Sequence, residues 1–490
     1  MRRARGTIPL LLSGAVALAA CTPAADIARL SAPQAGFAAV SATARKAAGS
    51  ELVWLQTTEQ IAANARRVSA LVAGKTISVD TAVQVALLNN RGLQAAYADL
   101  GLSAAEAWQV ALQPNPGLHL GILGLGSKSL DGFRTIEGGI AANLLALTTQ
   151  KSRNRIADVR FRQAQLAAAE ETLRVAAEAR VAWISAVAAF EAASLIAQTR
   201  ETADAQSELA LQLGKTGYLG KSDQAREHAF AAELAGQQAQ AKLAAELAKE
   251  NLTRTLGLFG ADVRYFVPDV LPPLPRVASR NSFEAEALNG RVDLAGAKLE
   301  LEAVALEYRL TDRTRVVSDI GLAVGTEINR EAEGGEWSSS RANSADIEIA
   351  FEIPIFDSGA ARLRKGEVAY MKAAHLLAQT AVDVRSEARA AHVAWLGTHK
   401  IARHYRDALL PLRKTIEEEA LLSYNGMITN TFELLADTRA RMESNLLEAS
   451  ARRDFWLADA NMTAALYGGG AAAGSPGGGE TAAAEAPAGH

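Results

Sequence analysis

The sequence predicts a mainly α protein with a small strand portion, built as two repeats of a strand hairpin followed by a long helical hairpin. Three observations carry this reading. Long stretches lack helix breakers: Gln150 to Leu213 has neither proline nor glycine, and Ala360 to Ser423 has one proline, Pro411. Short stretches of period two precede them, weakly at Leu118, Leu120 and Ile122 and clearly at Ile347, Ile349, Phe351, Ile353 and Ile355. Finally, Val181-Ala182-Trp183 matches Val393-Ala394-Trp395, and Gly217 and Gly426 follow at similar distances, giving a repeat of about 210 residues.

In chain order, Arg2, Arg3 and Arg5 followed by the apolar Ile8 to Ala20 read as a signal segment over residues 1–20. Leu18-Ala19-Ala20-Cys21 has the form of a bacterial lipobox, with Cys21 as the acylated residue. Residues 21–76 are a lipidated leader and helix: Thr22 to about Lys46 is rich in Ala, Ser and Pro and predicts an extended leader, and Ser50 to Ala73 a helix. The first repeat covers 77–258. It holds a helical segment from Ile77 to Leu112 containing Asn89-Asn90-Arg91-Gly92, a run suited to interrupt a helix or join two, then strands over about 117–147 around a polar turn at Ser127 to Gly132. A helix from Gln150 to Leu213 would be roughly 95 Å long. It turns at Lys215-Thr216-Gly217 and returns from Ser222 to about Leu256. A proline-rich linker occupies 259–280, and the second repeat 281–467. In that repeat Phe283 to Leu310 predicts a helix, Ile320-Leu322-Val324 a strand, and Asn329 to Ser344 a polar loop. The strand ending at Ile355, a helix from Ala360, a turn at Tyr424-Asn425-Gly426 and a return helix from Thr429 to Leu466 complete it. The Gly/Ala-rich tail, 468–490, predicts disorder.

Composition narrows the function classes. The chain is 49% hydrophobic but 5% aromatic, so alanine supplies much of its apolar surface and helices can approach closely. Lys+Arg 51 against Asp+Glu 54 leaves no basic footprint for nucleic acid. One cysteine allows no internal disulfide and no cysteine-based metal cluster. After Cys21 no uncharged apolar run is long enough for a transmembrane helix. Two hairpins supply four strands, too few to close a barrel, and open edges invite pairing with other copies. If the apolar face from Ile347 to Ile355 meets lipid, Glu348 and Glu352 face a wet lumen.

Together, Ala82-Val83 through Ala86-Leu87 with Asn89-Asn90, the Pro114-Asn115-Pro116 break, Ile353-Pro354-Ile355-Phe356-Asp357-Ser358-Gly359, and Tyr424 and Gly426 followed by Glu433-Leu434-Leu435 resemble the TolC-like outer membrane efflux proteins, lipoprotein branch. The resemblance implies a homotrimer whose twelve strands close a β-barrel in the outer membrane and whose long helices form a periplasmic α-helical barrel. It implies a periplasmic adaptor and an inner-membrane pump as partners. It also implies that the hairpin tips, Gly217 and Tyr218 and then Gly426, Met427 and Thr429, meet the adaptor. Acidic residues after the tips would gate the tunnel: Glu433 and Asp437 after the second, Asp223 (with Glu227 four residues on) after the first.

Other motifs weigh less. Gly214-Lys215-Thr216 and Gly220-Lys221-Ser222 have the wrong spacing for a phosphate loop and no preceding strand. His392 and His399 share a helix face but lack a third metal ligand. No nucleophile–base set and no cofactor loop marks an enzyme. The leading reading is a passive exit duct of a tripartite efflux system. The outer component of a type I secretion system, and a structural coiled-coil lipoprotein, are the alternatives. The substrate is not written in the sequence.

Overall fold

A computed structural model describes residues 24–123, 135–277, 282–315, 321–333, 336–348, 358–425 and 431–469. Helices α1 (Ala24–Leu30), α2 (Phe37–Ala48), α3 (Thr58–Val72), α4 (Val79–Asn89) and α5 (Arg91–Ala111) lead to strands β1 (Gly117–Leu123) and β2 (Thr135–Asn143). Helices α6 (Leu144–Lys215) and α7 (Lys221–Leu256) form the first long hairpin. The order then recurs: α8 (Phe283–Gly290), α9 (Val292–Arg313), β3 (Gly321–Glu333), β4 (Glu336–Glu348), α10 (Ala360–His404), α11 (Leu410–Asn425) and α12 (Thr431–Tyr467). The chain divides into two compact units, one of residues 1–38, 98–165 and 295–379, the other of residues 39–97, 166–294 and 380–490.

The first unit holds the sheet. Its strands run in the order β1-β2-β3-β4, every pair antiparallel. Of Asn329 to Ser344, whose polar composition predicts a loop, residues 329–333 and 336–344 are instead paired strand in the β3–β4 hairpin. The backbone ladder that makes a strand does not require apolar side chains, so a polar strand is silent in a hydrophobicity pattern. The period-two stretch beginning at Ile347 meets β4 only at its start; from Ile349 to Asp357 it lies outside the described residues. Below the sheet, Leu30, Leu100, Val159 and Phe161 are buried, and Arg29 pairs with Asp158 at 3.0 Å. The Ala-rich segment after Cys21 is thus helical rather than extended: alanine favours helix, and here it has a core to pack on.

The second unit holds the greater part of the long helical hairpins, around Val83, Leu87, Tyr97, Trp183, Val187, Leu256 and Phe455. By length and composition α6 contains one stretch apolar enough to cross a membrane, yet Trp183, Ile184 and Val187 there are packed inside the unit. The helix predicted from Ser50 begins at Thr58. Thr57 and Gln60 close a capping box at that point, and Leu52 and Trp54 are buried on extended chain ahead of it. Pro411 is absorbed by a π turn at Tyr405–Leu409, where the Leu410 N–H reaches back five residues to the Tyr405 carbonyl. Proline has no N–H to give Asp407, and the wider turn spares the helix a break.

Asparagines join the pieces. Asn90 interrupts the segment that runs from Ile77 to Leu112, and its Oδ1 accepts from Leu93 N–H at the start of α5. Asn90 Nδ2 donates to Thr255 O, and Asn89 Nδ2 to Leu256 O and Gly257 O, so the final carbonyls of α7 are satisfied from another segment. Gly257 adopts φ +67°, and a Cβ there would stand 2.9 Å from Asn89 O.

A second junction is Arg291. Its guanidinium, 10% exposed, grips Asp293 with Nε and Nη2 (3.0 and 2.6 Å) and Glu387 of α10 with Nη1 (2.6 Å). Burial pushes the Asp293 carboxyl up, but the two Arg291 bonds and its charge outweigh that and hold it below the ordinary aspartate value of 3.8. Asp293 therefore adds stability above pH 3.8, lost as pH falls through its lower folded value. We expect Arg291→Ala to cost about 3 kcal/mol, because Asp293 is left half-buried without its cation. Chemical denaturation should show this loss at pH 7 and a smaller one below pH 3, and an equal loss at both would place the effect in packing rather than charge.

Candidate functional site

The sheet has two chemically different faces. Cross-strand partners share a face, so the register places Leu118, Ile140 and Val324 in one row and Ile122, Ile136 and Ile328 in another on the same side. Leu118 and Leu120 are 72% and 75% exposed, so nothing within the described residues covers this apolar face. The opposite side carries His119, Thr135, Glu137, Glu327 and Asn329, with Thr135 Oγ1 donating to Asn329 Oδ1 at 2.8 Å. Glu137 and Glu327 stand directly opposite each other, an arrangement that like charges tolerate where water or cations reach them. Of the predicted lumen residues, Glu348 pairs with Gly321 at the helix-proximal end of the ladder, and Glu352 lies outside the described residues. The Glu137–Glu327 pair escapes a sequence reading because Gly138 and Gly139 blunt the alternation of β2 and the polar β3 has little alternation to see.

The first hairpin turn spans Thr216 to Gly220. Gly217 takes φ +81°, Tyr218 N–H donates to Leu213 O at 3.0 Å, and the Tyr218 side chain is 85% exposed. Glycine supplies the left-handed conformation this reversal needs. Asp223 lies in the first turn of α7, where the helix dipole favours an anion, and it accepts from Arg226 at 3.1 Å. Cys21, Gly426, Met427 and Thr429 lie outside the described residues. Glu433 falls in the first turn of α12, and Asp437, one turn on, is half-buried.

The buried acid near the turn is Glu227, 4% exposed. Burial raises its pKa, against the pull of Arg439 and His228. Arg439 of α12 places Nη2 3.9 Å from this carboxylate and lays its guanidinium 3.8 Å above the Phe230 ring. Ser207 hydrogen-bonds His228, joining α6 to α7, and Arg441 pairs with Glu417 of α11. Near the turn, an acid–base link between the two helical hairpins thus runs through Glu227 and Arg439. The i, i+4 spacing marks Asp223 and Glu227 alike, and only packing separates the half-buried Asp223 from the buried Glu227. Farther from the turn, Glu191 is buried, pairs with Arg452 and accepts the Leu271 N–H at 3.1 Å, seating the proline-rich linker. His392 stacks on Phe283 with centroids 4.7 Å apart, and His399 Nε2 meets Pro275 O at 3.0 Å.

No family model matches this chain, and no curated protein sequence matches it. Solved structures do. It resembles the outer-membrane channel OprN with a TM-score of 0.66 and 18% identity over 80% of this chain and 90% of that one. The outer membrane protein VceC of Vibrio cholerae gives 0.62 and 16%, covering 80% and 96%. The open-state MtrE outer membrane channel of Neisseria gonorrhoeae gives 0.61 and 17%, covering 82% and 89%. The chain therefore has the fold of the TolC-like outer-membrane channels.

If Glu227 and Arg439 hold the hairpins together, Glu227→Ala should speed amide exchange about tenfold in residues 221–232 and 436–441 while α6 around Trp183 is unchanged. Unchanged exchange at both segments would show that the contact carries no energy.

Proposed function

We propose that the protein is an outer-membrane channel, the exit duct of a tripartite efflux system, passing small molecules or ions passively to the exterior. The observation that carries this is the sheet: four strands, apolar on one face and carboxylate-bearing on the other, with β1 and β4 open as edges. Three copies joined edge to edge give twelve strands, lipid outside and a wet lumen inside. At about 3.3 Å per residue the thirteen-residue β3 is about 43 Å long, enough to cross a ~25 Å apolar band at the usual ~40° tilt. The channel fold shared with OprN, VceC and MtrE supports the same reading.

In this reading the partners are two further copies of the chain, a periplasmic adaptor and an inner-membrane pump. The adaptor meets the hairpin tips, where the exposed Tyr218 beside Gly217 is the described contact and Gly426, Met427 and Thr429 its counterpart. Cys21 carries the acyl anchor. Threefold symmetry turns Glu433, Asp437 and Asp223 into acidic rings at the narrow end, and the Glu137–Glu327 pair into six carboxylates within the barrel.

The purified protein should conduct in planar bilayers with a preference for cations. Glu137→Gln with Glu327→Gln should cut that preference severalfold at constant conductance, and Glu433→Ala with Asp437→Ala should also relieve block by divalent cations. A wild-type protein that inserts and does not conduct would overturn the channel. Independently, Cys21→Ser should abolish palmitate incorporation while trimers still form; label retained in that variant would place acylation elsewhere.

A further inference from the structure

The helices that meet the sheet carry an uneven charge. The connections into β1 and β3, and out of β2 and β4, all lie at one end of the ladder. In the segments nearest that end, residues 102–116, 144–155, 309–315 and 358–365, there are nine basic residues and two acids, Glu106 and Asp312. Farther from the sheet charges are matched: Arg160 pairs with Glu300 and Glu307, and Arg162 with Asp158. Near it the matching fails. Arg155 reaches Glu302 only at 3.9 Å and Arg364 takes Glu367 at 2.7 Å, whereas Lys151, Arg153, Arg309, Arg313, Arg315 and Lys365 are exposed and make no ion pair or hydrogen bond among the described residues. Unpaired guanidinium and ammonium groups crowded on adjoining helix ends repel one another, and a bound anion relieves that.

Beside this collar lies an open cavity of about 1040 Å³. Its floor is apolar, made by Ile27, Val110, Leu112, Ile156 and Leu310, and its wall carries the free Arg153 together with Glu106 and the ion-paired Arg160. Val110 and Leu112 are exposed in it, and Trp108 is exposed on the same helix. Tryptophan next to aliphatic side chains and basic residues is the chemistry of a membrane–water interface.

We propose that this groove binds an anionic phospholipid of the periplasmic leaflet, with an acyl chain on the apolar floor and the headgroup phosphate held by Arg153 and the neighbouring basic residues. The inference rests on the outer-membrane channel reading, which puts the helix-proximal end of the sheet at the headgroup layer. Charge selects the lipid class: a zwitterionic headgroup leaves the unpaired cations uncompensated, and an anionic one neutralises them. The apolar floor selects a lipid over free phosphate. The same lipid would fix the depth at which the sheet sits, because the cations mark one plane around it.

The test uses the full-length protein in vesicles of equal phosphatidylglycerol and phosphatidylcholine, extracted into mild detergent and read by native mass spectrometry. Phosphatidylglycerol should be retained severalfold over phosphatidylcholine. R153Q should lower that retention about fivefold, and K151Q/R153Q/R309Q/R313Q should erase the preference. K242Q, an exposed lysine in the other unit, should leave it unchanged. Millimolar inorganic phosphate should not displace the lipid; displacement would reassign the site to free phosphate. Equal retention of the two lipids, no retained lipid because a second copy fills the groove, or retention indifferent to R153Q would each overturn the proposal, the first two on wild-type protein alone. Conductance of the same preparations reads the pore separately: a conducting protein without lipid preference sinks the lipid site only, and a lipid-selective protein that never conducts sinks the channel.

Discussion

The pairing of β2 with β3 is the constraint on which the sheet depends. It joins strands from the two repeats over the register Thr135↔Asn329 to Asn143↔Gly321 and leaves β1 and β4 as edges. Register has period two, so a slip of one residue would move Ile136 and Ile140 to the side of Glu327 and carry Glu137 to the side of Val324. The ladder therefore decides not only that a sheet exists but which face is greasy and which is charged. Among the described residues the sheet keeps an uncovered apolar face and two unpaired edges, and such surfaces are costly to leave in water.

In the helical unit the equivalent work is done by a few buried and half-buried polar groups. Asn89 and Asn90 satisfy the carbonyls that end α7, Arg291 draws Asp293 and Glu387 together, and Glu191 holds a linker N–H while pairing with Arg452. Alanine-rich helices slide easily because small side chains make shallow ridges. Polar contacts with fixed geometry choose among the registers that such packing permits, since a buried group that misses its partner costs about 1–3 kcal/mol. The Glu227–Arg439 link belongs to a different class. It sits beside the hairpin turn, its carboxyl is pushed up by burial, and its cation also stacks on Phe230, so parting the two would leave a buried carboxylate without its cation.

Much of the architecture is written locally. Absence of proline and glycine from Gln150 to Leu213, with its high alanine content, permits one unbroken helix over that stretch, Gly217 marks where it can reverse, and the Trp183 and Trp395 motifs reveal the repeat. These features depend on backbone propensity and on neighbours within a few residues, which a sequence shows directly. What the sequence could not show depends on partners distant in the chain. The β3–β4 hairpin is polar, so only its ladder identifies it; the Glu137–Glu327 pair needs the register between repeats; Glu227 and Asp223 look alike until packing buries one of them. The unpaired collar around Arg153 is invisible for the same reason, since whether a cation is matched is a statement about which acid folding brings within reach.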